Sequence, residues 1–426
     1  MNSKTSTRLR LVLMLFLEFG AWGAYLTSMG SYLATIGLGP KIWLFFAMQG
    51  IVSIFMPAII GIVADKYIPA QKTLSLCQLI AGVFMILAGV YCSGNAQPQF
   101  GLLFTLYSIS IAFYMPTIGL SNSVSYKELE KVEMDPIKDF PPIRIFGTVG
   151  FICSMLFVNF MKDGNGVQFQ SSYAQFFVSG ILSLVLAAYA LTMTNCPVNK
   201  GGKGQTLAQA LGLDAFQLFK RKEMALFFLF SMLLGASLQI TNGYANTFIT
   251  SFKSIPEYAS TWGANNANAL ISISQISETL CILLIPFFMK KFGIKGVMSI
   301  AMFAWVLRFG FFGAGNPGSG VWMFVLSCVV YGVAFDFFNI SGSLYVNENT
   351  DKKIQSSAQG LFMLMTNGLG ATVGTFAAGR VVNAVVYNSA NPSWSKAWFI
   401  FAGYALVVAV LFVIFFKSPK PKQIEA

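Results

Sequence analysis

Twelve stretches of this 426-residue chain are each apolar over about 20 residues, and that repetition limits the fold more than any other feature. They run over 10–36, 42–63, 73–92, 99–124, 142–161, 172–194, 223–249, 267–289, 295–314, 321–346, 356–385 and 396–416, and are called spans 1 to 12 below. In lipid every backbone N–H and C=O must be satisfied within the protein, so an isolated apolar run of this length reads as a helix. Composition excludes the alternatives. Charged residues make up 10% of the chain and apolar types 55%, with 42 Phe and a mean hydropathy of +0.66. A soluble domain carries about 25% charged residues. The expected fold is therefore an all-α integral membrane protein with twelve transmembrane helices. Span 1 is too long for a signal peptide, and no small-residue cleavage site follows it.

The net charge of +12 is a topology signal. Twenty-one cations fall in the segments on the side of the N-terminus, and four (Lys41, Lys162, Lys253, Lys396) on the other. Cytoplasmic segments carry the excess of Lys and Arg, so both termini of this multi-pass protein are expected in the cytoplasm. The same charge implies contact with anionic lipid and no nucleic acid. The longest inside connection, 195–222, opens on Pro197 and a Gly/Lys run and continues as a short amphipathic helix over TLAQALGLDAF. It divides the chain into an N-terminal half (1–194), a linker (195–222) and a C-terminal half (223–426). Two six-helix halves are the architecture of major facilitator transporters. Span 2 ends with Gly61, Asp65 and Lys66 in the spacing of that superfamily's loop signature.

Enzymatic chemistry finds little support. His is absent, which removes the commonest proton shuttle and metal ligand. The six Cys show no C-x-x-C spacing. No Walker motif is present, so no ATP site, metal or cofactor is expected. The short tails speak against a sensor with a soluble output segment.

Charge inside the hydrocarbon costs at least about 2.5–3.5 kcal/mol, so intramembrane ionisable residues mark function by default. Glu18 (span 1), Arg144 (span 5), Glu278 (span 8), Arg308 (span 9) and Asp336 (span 10) are of this kind. Arg380 lies near a span end, where a long side chain snorkels to water. Residues three or four apart share a helix face. Arg144, Thr148 and Phe151 do so on span 5, and Gln239 and Asn242 on span 7, with Asn246 one turn on. Gln275 and Glu278 do so on span 8, Tyr331 and Phe335 on span 10, and Glu18 and Trp22 on span 1. A lone amide reads first as an interhelical tie. An acid with no cation on its own helix, as in the Gln275–Glu278 face, points to a polar cavity. Composition and spacing together stop at a proton- or sodium-driven secondary transporter.

At these faces the sequence resembles the bacterial nucleoside:proton symporters of the major facilitator superfamily. The resemblance is carried by DFPPIRIFGT (139–148), LGASLQITN (234–242), SISQISET (272–279) and YGVAFDFFNISGS (331–343), and runs from span 1 to span 12. It implies proton-driven import of nucleosides such as uridine and adenosine by alternating access, in a protein that works as a monomer. It also implies a nucleoside held between the halves by Arg144, Thr148, Phe151, Gln239, Asn242, Gln275, Glu278, Tyr331 and Phe335. Amides and a carboxylate suit ribose hydroxyls, and aromatic faces suit a base. A sugar or oligosaccharide:proton symporter of the same superfamily is the alternative.

Three groups are expected to serve the proton. Asp336 is expected to carry it and Arg308 to be its switching partner, since spans 9 and 10 adjoin. The third is Glu18, which departs from the family pattern, where the position is often Gln. Its carboxylate is open to three roles: altering ribose contacts, changing proton stoichiometry, or pairing with Arg144.

Overall fold

The computed structural model describes residues 3–196, 198, 213–351 and 354–417, which are helical with no β-sheet. Nine helices among the described residues are long and apolar enough to cross a membrane. Three observations reconcile nine with twelve. The helix Ala267–Ala314 contains both span 8 and span 9, folded back at Gly293, whose φ of 65° breaks the helical path. Span 6 is the shorter apolar helix Ala174–Ala190. Span 1 is the helix Ser3–Gly23, whose cationic first turns lower its hydropathy, continued after a turn by Met29–Thr35. Span 5 starts earlier than its apolar run, at Pro136, where a missing N–H costs nothing in the first helical turn. Most of the expected amphipathic helix in the linker lies outside the described residues; from 213 the chain forms a 3-10 helix, Leu213–Lys220.

Each crossing helix has a lipid face and a protein face. On span 8, Leu280, Leu283, Leu284 and Phe287 are exposed, Leu283 at 75%, while Ser274, Ser277, Cys281 and Ile285 are buried. Helical spacing separates the two sets. Exposed apolar side chains here face acyl chains, the reverse of a soluble surface. Close approach of backbones fixes which helices meet. A Cβ on Gly150 of span 5 would lie 2.2 Å from the Phe16 carbonyl oxygen of span 1, so only glycine lets these two helices touch there. Gly332 of span 10 meets the backbone of Ser277 on span 8 in the same way.

With twelve crossings both ends of the chain emerge on one face, called the terminal face. Among the described residues, no hydrogen bond or ion pair there joins one half to the other. Arg8 bonds Asp139 at 2.5 Å, Arg10 lies 3.8 Å from Glu128, and Arg221 bonds the Asn349 carbonyl. Among the described residues, every hydrogen bond between the halves lies at the opposite face. Thr27 donates to Asn268 (2.9 Å), and Ser31 pairs with Thr250 (2.8 Å). Asn159 donates to Asn266 (2.9 Å), and Gln170 accepts from the Asn268 N–H (3.2 Å). Apart from Lys253, which donates to Gln168 (3.3 Å), the opposite face is thus sealed by uncharged groups, chiefly amides and hydroxyls.

Candidate functional site

Directly beneath this seal is a cavity of about 200 Å³ between the halves. Phe19, Trp22 and Leu26 of span 1 line it with Arg144, Thr148 and Phe151 of span 5. The other half contributes Leu238 and Asn242 of span 7, Gln275 and Glu278 of span 8, and Tyr331 and Phe335 of span 10. Leu26 precedes Thr27, the first residue of the seal, so the cavity reaches the closed face, and among the described residues no hydrogen bond joins the halves between it and the terminal face.

Packing sets the aromatic walls. The Gly150 and Gly23 contacts bring span 1 against span 5, and Trp22 meets Phe151 edge-on with ring centroids 6.3 Å apart. In the other half Tyr331 and Phe335, one turn apart, stack with planes 5° from parallel. One flat wall, Tyr331 with Phe335, the edge-on Trp22–Phe151 pair and the polar groups between them form a slot suited to a planar ring bearing hydroxyls.

The polar groups are poised and unspent. The Arg144 guanidinium lies 3.8 Å over the Phe19 ring. A cation over an aromatic face keeps its donors available at the edge. Gln275 Oε1 is buried without a partner, and so is Trp22 Nε1. A buried polar atom left unpaired costs roughly 1–3 kcal/mol, which a ligand in the slot would recover. Among the described residues no ion pair within 4 Å involves Glu278, although Arg144 is the charge that acts on it across the cavity.

Eight of the nine side chains expected from sequence meet here. Gln239 does not line the slot. Leu238 and Asn242 hold that face of span 7, and Gln239 is turned about 100° from Leu238 around the helix axis. It is buried with Oε1 unpaired. Phe19, Trp22, Leu26 and Leu238 complete the wall. The 19, 22, 26 spacing is a helical face, but in a chain with 42 Phe an aromatic face carries no contrast.

The expected Arg308–Asp336 pair is not formed. Arg308 is fully buried and donates to Thr241 Oγ1 (3.4 Å), Ser274 Oγ (3.3 Å) and the Ser327 carbonyl (2.8 Å), with its guanidinium 4.4 Å over Tyr331. The reason is depth. Spans 9 and 10 run antiparallel, span 9 ending at Ala314 and span 10 starting at Val321, so Arg308 faces Ser327, each six residues from the turn. Asp336 lies nine residues further, about 13 Å along the helix. It is buried, outside the cavity wall, with Oδ2 unpaired. The charge acting on it is Glu278, across the Ser277–Gly332 crossing. Glu18 also lies outside the cavity, fully buried among Gln78, Tyr114 and Thr117.

Comparison with known proteins gives the family of the chain. The family model described as "Nucleoside H+ symporter" matches residues 5–421. The nucleoside permease NupG of Escherichia coli (strain K12) is 44% identical over 413 residues, covering 96% of each chain. The xanthosine permease of the same organism is 44% identical over 425 residues, covering 99% of this chain and 98% of the relative. The crystal structure of nucleoside transporter NupG superposes with a TM-score of 0.87 over 98% of this chain and 100% of that one. With its twelve helices in two halves and its cavity between them, this chain belongs to the nucleoside H+ symporter family of the major facilitator superfamily.

Proposed function

We propose that this protein imports nucleosides across the bacterial inner membrane, driven by protons, through alternating exposure of the cavity between its halves. The observation that carries the reading is the cavity itself. It collects a guanidinium, two amides, a carboxylate and aromatic side chains from both halves, with a hydrogen-bonded seal on the side away from the termini. Asn242, Gln275 and Glu278 hold the ribose hydroxyls. The base stacks against the aromatic wall, with Arg144 and Thr148 at its edge. No cluster of cations is present for a phosphate, so the cargo is the free nucleoside.

Asp336 carries the proton. It is buried, lacks a cation partner and answers to the charge of Glu278, a cavity ligand. Arg308 holds spans 7, 8 and 10 together behind Tyr331. The positive segments put both termini in the cytoplasm, so the structure faces inward. The halves, 1–194 and 223–426, rock about the cavity as a monomer, joined by the linker 195–222.

The test is uptake of labelled uridine and adenosine into vesicles carrying an imposed pH gradient, competed in parallel by nucleosides, free bases and sugars. Gradient-dependent uptake blocked by nucleosides alone supports the reading. Competition by sugars alone moves the protein to the sugar symporters, and uptake indifferent to the gradient removes the proton.

A further inference from the structure

Glu18 has no role in the cavity wall, yet its carboxyl is fully buried at the centre of the N-terminal half. Its bonds can be counted proton by proton. Gln78 Nε2 donates one hydrogen to Glu18 Oε2 (3.0 Å) and the other to Thr117 Oγ1 (2.9 Å). Thr117 Oγ1 also lies 2.6 Å from Glu18 Oε1 and 2.6 Å from the Tyr114 carbonyl oxygen. Both are short oxygen–oxygen contacts, and each needs a hydrogen between its atoms. Thr117 has one hydroxyl hydrogen, and the Tyr114 carbonyl has none. A single Thr117 hydrogen shared between the two contacts would leave both bent and weak at 2.6 Å, so a well-aligned hydrogen in each takes its second from Glu18. With Glu18 as donor the set closes: Thr117 accepts from Gln78 and Glu18 through its two lone pairs and donates to the Tyr114 carbonyl. With Glu18 ionised, both 2.6 Å contacts would have to share the one Thr117 hydrogen.

The surroundings agree. The ionisable groups facing Glu18 are Cys77 on span 3, Tyr114 on span 4 and Arg144 on span 5. The Tyr114 hydroxyl is spent on the Glu18 backbone carbonyl (2.5 Å). On span 6, Tyr189 bonds the Arg10 carbonyl, two turns away along span 1. Arg144 forms no ion pair with Glu18 within 4 Å, and its guanidinium instead covers the next ring, Phe19, which lines the cavity.

We infer that Glu18 holds a proton while the cavity is open to the terminal face, and that as a neutral donor it leaves the Arg144 guanidinium to the cavity. Glu18 is thus a positioning residue acting through Arg144, a second proton-binding site in the half that lacks Asp336. The part played by Arg144 rests on its proposed role as a nucleoside ligand; the protonation does not.

The test uses the full chain in lipid vesicles, without nucleoside. The infrared difference between the wild type and Glu18→Gln should lose one protonated-carboxyl C=O stretch that shifts in D2O. Loss of a carboxylate stretch instead overturns the inference. Should that variant fail to fold, Thr117→Val, which removes the acceptor, should move the same band; an unmoved band overturns it equally. The link to Arg144 is read by uridine and adenosine binding. Glu18→Ala should weaken affinity severalfold and Glu18→Gln restore it to within about twofold, since a neutral donor is kept. A Gln variant as weak as the Ala variant overturns that link. Failure of nucleoside uptake would leave the infrared band untouched, so the two readings fail separately.

Discussion

The Thr27 hydroxyl donates to Asn268 Oδ1 at 2.9 Å, and the same oxygen accepts from Asn246 Nδ2 at 2.8 Å, so one amide oxygen joins spans 1, 7 and 8 across the boundary between the halves. It sits at the centre of a seal in which no ion pair takes part. Neutral hydrogen bonds suit a contact that must break in every cycle. Each contributes only about 0.5–1.5 kcal/mol net, far less than it costs to part a buried ion pair.

Removing Asn268 should therefore open the sealed face. Asn268→Ala leaves Thr27 and Asn246 without their shared acceptor, at a cost of roughly 1–3 kcal/mol in this state alone, which moves a two-state population about 5- to 150-fold. A cysteine at Leu26, in a background lacking exposed Cys153, should then react faster with an impermeant thiol reagent applied from the face opposite the termini. Unchanged reactivity would show that the amides do not hold the seal.

Asn242 and Gln239 should part company. Asn242→Ala removes a wall group and should cost nucleoside affinity roughly 5- to 150-fold, as should Gln275→Ala and Glu278→Gln. Gln239→Ala should change affinity much less, because its side chain does not reach the slot. Equilibrium binding of uridine to the four purified variants decides the order.

Arg308 and Asp336 should give different phenotypes. Asp336→Asn should lose accumulation against a gradient while still binding and exchanging nucleoside. Arg308→Gln gives up a buried, three-bonded guanidinium and its place over Tyr331, so it should chiefly lower the midpoint of thermal unfolding. Identical loss of coupling in both, with Arg308→Gln as stable as the wild type, would restore a paired role.

The sidedness can be read at the linker. A single Cys at Gly202, among the cations of the longest inside segment, should be labelled by an impermeant reagent only after intact cells are permeabilised.

The sequence alone determined the class of fold, the number of crossings and the faces that meet in the cavity. Each of these is local: a run of apolar residues needs only its length to span the bilayer, and residues one turn apart share a face wherever the helix is placed. Arg144, Thr148 and Phe151 were legible for that reason, as were Gln275 with Glu278 and Tyr331 with Phe335. The Arg308–Asp336 expectation failed because adjoining helices share a hairpin but not a depth; counting residues from the turn would have matched Arg308 with Ser327 instead. Gln239 falls outside the cavity lining because a helix face is wider than a cavity wall, and only packing says where the wall ends. What the tertiary structure decided is how residues far apart in the chain share hydrogens: the seal joins Thr27 to Asn268 across 241 positions, and Glu18 takes its bonds from Gln78 and Thr117 on two other helices. A carboxyl's proton depends on the groups within about 3 Å of it, and no spacing within one helix records those neighbours.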